Sequence, residues 1–275
     1  MKISVIVLTF NSENTISATL ESAYKVSEDI HVVDSYSSDK TIDILSRYHV
    51  NVVQHPFENY SMQRNWAMDN LPIKYEWQLH LDADERLSEG LVEELCVLKL
   101  SSHDNIYGFF IPRLVFFLGR PIRHGGMFPI WHMRLFRKGS GRCEKRSYDQ
   151  HFYVKGRAER LTSPMIDDHR MSLREWVLRH NRWADAEIAE LTNIGEQNEI
   201  AGRIHGNPVE KKRALRNFYY QMPLLIRPFM LFLYRYIFRL GFLDGWEGLI
   251  FFVLQTFWFR FLVDAKLFER RLNRT

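Results

Sequence analysis

Along the first hundred residues, short apolar runs alternate with stretches of helical period. Residues 3–8, broken only by Ser4, form an apolar run of the kind a parallel strand covered on both faces requires. Residues 13–24 then carry Ile16, Leu20 and Ala23 at helical spacing. A second strand is expected over 30–34, a helix over 39–48 with Ile42 and Leu45 inward, and a third strand over 50–53. A helix over 60–70, stopped by Pro72, leads to a strand over 76–81 that ends at Asp82. This β-α-β-α-β-α-β order predicts an open parallel sheet with ligands at the carboxyl ends of its strands. From 106 to 169 the pattern turns strand-like and irregular. Ser172 and Glu175 form a capping box that opens a helix running to about Leu191. Residues 202–208 read as a linker, and two apolar stretches follow, at 224–240 and 249–263.

Composition narrows the class. The 275 residues are 46% hydrophobic and 25% charged, enough for a full core. Two cysteines make no disulfide framework and fit a reducing compartment, where both are expected to be buried small hydrophobes. The start of the chain is too short an apolar run for a signal peptide, so it is taken as the first strand of a protein that is not secreted. The net charge of +4 is uneven: residues 210–275 hold 12 Lys/Arg against 5 Asp/Glu, and residues 218–261 hold 16 of the 39 aromatic residues. Basic residues interleaved with Leu, Ile and Phe suit a membrane surface better than a nucleic acid. Neither apolar stretch, interrupted by Arg227, Arg235 and Arg239 or by Gln255 and Arg260, reaches the uninterrupted length of a spanning helix.

The chemistry concentrates in His80-Leu81-Asp82-Ala83-Asp84-Glu85, at the end of a strand. Two carboxylates at i and i+2 can face one divalent ion; the competing reading is a solvated acidic turn. No Gly-x-Gly-x-x-Gly or Gly-Lys-Ser/Thr loop follows the first strand, which argues against a dinucleotide enzyme or a P-loop NTPase. The order of Val5 to Asn11, Val32 to Asp39, Gln63-Arg64-Asn65 and the D-x-D resembles a family-2, GT-A-type glycosyltransferase. Gly119 to Gly126, Arg134 to Arg137 and Gly241 to Trp246 are similar to the bacterial branch that includes lipopolysaccharide-core β-1,4-glucosyltransferases.

The resemblance implies an α/β GT-A fold: a Rossmann-like, open, mostly parallel sheet with flanking helices. A catalytic domain is expected over 1–200, its nucleotide-sugar half about 1–105 and its acceptor half about 106–200. Residues 201–275 would form a helical, membrane-associating extension. By the same resemblance Thr9 and Asn11 line the nucleotide pocket, Asp34 accepts from the base, and Arg64 flanks base or diphosphate. Asp82 meets the ribose and metal region, and Asp84 ligates Mg²⁺ or Mn²⁺. Ser35 stands where the family usually has a second acidic residue.

Relatives in that branch show a His-Glu pair near 148–152; the glutamate falls on Gln150, so Asp149 is the expected general base, with His151 in reserve. Arg123 to Gly126 are suited to approaching a diphosphate or acceptor, and His132 and Arg134 could face the diphosphate. The helix carrying His180 to Trp183 presents an aromatic stripe that fits a core better than an acceptor site. The implied activity is inverting transfer of a hexose, glucose by the resemblance, from a UDP-sugar to a glycan or lipid-linked acceptor. The protein would be cytoplasmic, peripheral at the inner face of the membrane, without a nucleic-acid partner; the alternative use of the apolar tail is a homo-oligomer in place of a bilayer. A nucleotidyltransferase would need a glycine-rich, lysine-bearing loop where Thr9-Phe10-Asn11-Ser12 stands, and a non-catalytic membrane adaptor would not need both aspartates.

Overall fold

The structure, a computed structural model, describes residues 2–98, 105–146, 149–192 and 200–273. Its first strands and helices are β1 (Ile3–Thr9), α1 (Ile16–Tyr24), β2 (Asp29–Asp34), α2 (Thr41–Leu45), β3 (Asn51–Gln54), α3 (Tyr60–Asn70) and β4 (Trp77–Asp82). β5 (Glu85–Leu87), α4 (Glu89–Val97), β6 (Ile106–Phe117), β7 (Arg120–Pro121), β8 (Ile130–Arg137), β9 (Gly141–Cys143), β10 (Phe152–Val154), β11 (Arg157–Arg160) and β12 (Met165–Asp167) follow. The chain closes with α5 (Leu173–Thr192), α6 (Pro208–Gln221), α7 (Arg227–Leu233), α8 (Gly245–Phe252) and α9 (Phe259–Leu272).

The main sheet runs β3-β2-β1-β4-β8-β6-β12-β5. β1 pairs in parallel with β2 and β4, and β2 with β3, while β8 on β4 and β5 on β12 are antiparallel. This mixed, mostly parallel sheet with flanking helices is the GT-A arrangement that the resemblance implies. Its central strand is apolar on both faces for a packing reason. Ile3, Val5 and Val7 join Leu20, Leu79, Leu91 and Phe109 in one cluster, whereas Ile6 packs with Val33, Ala67 and Ile73 in another. Alternate residues of one strand thus fill two separate cores.

Two compact units are present. The first comprises Met1–Phe116, Trp131–Lys145 and Gln150–Arg170; the second comprises Phe117–Ile130, Arg146–Asp149 and Met171–Thr275. In the second, α5 opens with the capping box: Ser172 Oγ accepts from the Glu175 amide at 3.3 Å, and the Ser172 amide donates to Glu175 Oε2 at 2.8 Å. Ala184 and Ile188 of α5 pack on Phe259 and Val263 of α9. His180 is buried there, stacked on Trp176 with its Nε2 at 2.9 Å from Gln255 Oε1, so the aromatic stripe is core.

Several expectations shift. The segment after Asp82, for which a solvated acidic turn is the competing reading, contains the short strand β5, whose Glu85 is buried. The helix expected over 39–48 is cut to Thr41–Leu45. Cys96 is exposed on α4 rather than buried; Cys143 is buried, and burial pushes its thiol up to about 11. The stretch at 249–263 belongs to a helical run over Gly241–Leu272, 32 residues, through 3₁₀, α and π segments. By length and composition that run is apolar enough to cross a membrane, because its few polar residues do not end the helix.

Candidate active site

The carboxyl ends of β1 and β2 are laced together by their loops. Thr9 closes β1 with its side chain buried, and its hydroxyl has no hydrogen-bond partner among the described residues. Asn11 adopts a left-handed backbone, φ 48°, which Asn tolerates better than most residues. Its amide donates to Ser37 Oγ at 2.8 Å, and its Oδ1 accepts from the Ser38 amide at 2.8 Å. Asp34 closes β2 with no exposure; its carboxylate accepts from the Ser37 amide at 3.0 Å and from Gln54 Nε2 at 3.0 Å. Gln63, one turn into α3, bonds Ser35 Oγ at 3.1 Å, so the serine at the usual acidic position is tied into the same loop. Thr9, Asn11 and Asp34 therefore end adjacent parallel strands.

Asp82, at the end of β4, lies between two guanidinium groups. Nη2 of Arg64 donates to both of its carboxylate oxygens at 2.8 and 3.0 Å, and Nη2 of Arg134 donates to Oδ2 at 2.9 Å. Arg134, buried on β8, also bonds Glu85. Burial alone would raise the Asp82 carboxyl, but Arg64 and Arg134 outweigh it and hold that group well below the usual carboxylate range. Glu85 goes the other way. Burial, offset in part by Arg134 and reinforced by Asp82 and Asp167, pushes it up to about 7. Arg64 also lies over the Phe152 ring at 4.9 Å, which fixes its planar head. Nearby His80 is buried and drawn well below its ordinary value by that burial and by the two arginines. It packs between Phe136 and Phe152 as a neutral core ring.

Asp84 takes a different set of partners. Its carboxylate meets Nδ1 of His169, whose Nε2 lies 3.1 Å from Asp167 Oδ1. Ligand atoms of Asp84, Asp167 and His169 all fall within 4.8 Å of one another. An imidazole with a carboxylate on each ring nitrogen needs a positive charge between them, proton or metal. Two carboxylates with one imidazole suit Mn²⁺ at least as well as the all-oxygen preference of Mg²⁺. The residues therefore fit a divalent cation.

Asp167 and His169 were not anticipated from the sequence. The nearest signal was the triplet Asp167-Asp168-His169, but only β12–β5 pairing, with Asp167 opposite Glu85, brings it to the D-x-D. The amide of Asp168 donates to the Asp84 carbonyl at 3.1 Å, locking that register.

Asp149 belongs to the second unit. It has a left-handed backbone, φ 54°, and its carboxylate pairs with Lys212 at 2.7 Å and Arg216 at 3.6 Å. His151 belongs to the first unit, buried with Nδ1 at 3.1 Å from Glu144 Oε1, and its ring stacks on His132 at 6.1 Å. The glycines of 123–126 do not stand open: a Cβ on Gly125 would fall 2.1 Å from the Phe252 ring, and one on Gly126 would fall 3.4 Å from the Arg239 guanidinium. The motifs at 119–126 and 241–246 meet instead through Asp244. That carboxylate accepts from the amides of Arg123 and His124 at 3.2 and 2.9 Å and lies 2.6 Å from His124 Nδ1.

The sheet and the acidic cluster at its strand ends agree with the comparison against known families, in which residues 4–139 match the model described as glycosyl transferase family 2. Residues 4–139 belong to glycosyl transferase family 2. This domain holds all the candidate donor residues, Thr9 to Asp84; Asp149 follows it. Over 216 residues the chain is 23% identical to the lipopolysaccharide core biosynthesis glycosyltransferase LpsC of Rhizobium meliloti (strain 1021), covering 76% of this chain and 78% of that protein. An uncharacterized glycosyltransferase of Rickettsia bellii (strain RML369-C) is 33% identical over 106 residues, 38% of this chain and 35% of the relative. The chain thus spans about a third of the length of that rickettsial relative. Among solved structures, S. aureus TarS 1-349 overlays 98% of this chain and 92% of its own at 16% identity, with a TM-score of 0.49.

Proposed function

We propose that this protein is a metal-dependent, inverting glycosyltransferase. It moves a hexose, with glucose the expected sugar, from a UDP-sugar to a glycan or lipid-linked acceptor in bacterial surface polysaccharide synthesis. The observation that carries this reading is the family-2 domain, whose D-x-D residues sit at a strand end among cationic partners and side chains able to ligate a metal. The relative named as a lipopolysaccharide core glycosyltransferase supports the choice of acceptor class.

In this reading Thr9, Asn11 and Asp34 receive the nucleoside, and the buried Thr9 hydroxyl, without a partner among the described residues, is a group that a ligand would satisfy. Asp34, buried and held by Ser37 and Gln54, is the acceptor this reading assigns to the base. Arg64 serves twice, pinning Asp82 in the ribose-facing position and offering fixed positive charge to phosphate oxygens. Asp84, with Asp167 and His169, would hold the divalent cation, which supplies charge stabilisation to a departing nucleoside diphosphate. Asp149 takes the proton of the attacking acceptor hydroxyl, and His151 is the reserve for that role. The basic, aromatic-rich C-terminal region would hold the protein at the inner face of the cytoplasmic membrane, close to a lipid-linked acceptor.

Titration calorimetry of UDP, GDP and UMP, with and without Mn²⁺, tests the donor assignment. Wild type should bind UDP only weakly without Mn²⁺, and Asp84→Ala should lose the metal-dependent gain. A folded wild-type protein that binds no nucleoside diphosphate under either condition overturns the reading.

A further inference from the structure

Between Glu210 and Asp244 the chain holds seven Lys/Arg and no Asp/Glu. Several of these cations find carboxylates elsewhere in the second unit. Arg227 is bonded to Asp264, Lys212 to Asp149, and Arg216 to Glu187, which Arg260 also reaches. Arg235 and Arg239 do not. Half-buried Arg235 touches Met127 Sδ at 2.7 Å, and Arg239 Nη1 lies 3.3 Å from the Tyr234 hydroxyl. Neither has a carboxylate partner among the described residues. Burial, together with Arg260 and Arg239, draws Arg235 down to about 10, the mark of a cation whose charge its surroundings leave uncompensated.

The two guanidinium groups border one loop. Arg239 lies beside Gly126 and Arg235 beside Met127, while the Gly125 amide donates to the Arg239 carbonyl at 2.9 Å. Both glycines have positive φ, 63° and 70°, and no side chain would fit at Gly125, so loop and helix approach closely. The helix is π-helical over Tyr234–Phe238, a local widening that natural helices tend to keep at functional positions. Around the arginines the surface is apolar: Phe238 is 76% exposed, and Tyr234, Ile237 and Leu240 are each about half exposed. Exposed aromatic and aliphatic groups beside uncompensated cations match one environment, the boundary between acyl chains and anionic headgroups.

We propose that Arg235 and Arg239, beside the Gly125–Met127 loop, form a binding site for the phosphate of an anionic membrane lipid. This deepens the membrane-surface reading above and rests on it, but not on the donor site. The test is flotation of the full chain with vesicles of phosphatidylcholine alone and of phosphatidylcholine containing phosphatidylglycerol. Wild type should bind the anionic vesicles at least tenfold more tightly, because each surface cation is worth about fivefold. Arg235→Gln/Arg239→Gln should bring the two vesicle types within about twofold, with an unchanged melting temperature and circular dichroism spectrum as the sign of an intact fold. Should the double variant misfold, the exposed Arg239→Gln alone should lose about fivefold. Undiminished preference for anionic vesicles in folded variants overturns the proposal. So does equal wild-type binding to both vesicles, although the membrane reading then survives; binding to neither sinks both. Equally tight binding of free glycerol phosphate without vesicles would assign the site to a soluble phosphate and overturn the lipid.

Discussion

Asp82 and Glu85, three residues apart, share one arginine and are pulled in opposite directions. Asp82 faces two guanidinium groups and stays ionised; Glu85 shares Arg134 with it, is fully buried, and feels Asp82 and Asp167 as well. Because the Glu85 carboxyl rises from its ordinary 4.5 to about 7 on folding, the folded state binds the extra proton. Its contribution to stability is complete below about pH 4.5 and is lost as pH rises through 7. Glu85→Gln should therefore flatten the pH dependence of the melting temperature between pH 5 and 7. A variant whose profile parallels wild type over that window would show that Glu85 is already ionised at pH 5. Removing Arg134 instead leaves the buried Glu85 carboxyl without its guanidinium partner while Asp82 keeps Arg64, a loss of about 3–5 kcal/mol by analogy with broken buried pairs.

At the scale of elements, the loop at 123–126 and the helical turn at 241–244 are joined by one carboxylate. Asp244→Ala would strand two backbone amides and the His124 ring, at about 1–3 kcal/mol per unsatisfied group. A fall in melting temperature of roughly 5–10 °C is expected, with UDP affinity unchanged, since Asp244 lies outside the unit that holds the proposed donor residues. An unchanged melting temperature would mean that water replaces the carboxylate. This pairing also shows what could be read from the sequence. The apolar run of β1, the helix at 60–70 and the capping box at Ser172 are local patterns, and each was visible. The tie between 123–126 and Asp244 spans 120 residues, so both motifs could be seen but not their contact. β5 and β12 were missed because three-residue strands carry no period, and only their pairing places Asp167 and His169 beside Asp84. Asp149 was singled out by position along the chain, which could not foretell its pairing with Lys212 and Arg216.

At the scale of the molecule, the proposed roles divide between the units: the residues proposed to bind donor and cation belong to the first, and Asp149 belongs to the second. Asp149→Asn should therefore leave metal-dependent UDP binding intact while turnover falls about 10²–10⁴-fold, the usual worth of a general base. Turnover within a few-fold of wild type would transfer the role to His151. The division has a counterpart in sequence order. Asp84 and His169 lie 85 residues apart, and the cluster they form depends on the last short strand of the sheet. A chain growing on the ribosome at about 5–20 residues per second thus carries the D-x-D for seconds before the rest of its proposed ligand set exists. Cation-dependent resistance to proteolysis would consequently report a finished sheet, and fragments ending before β12 should show none.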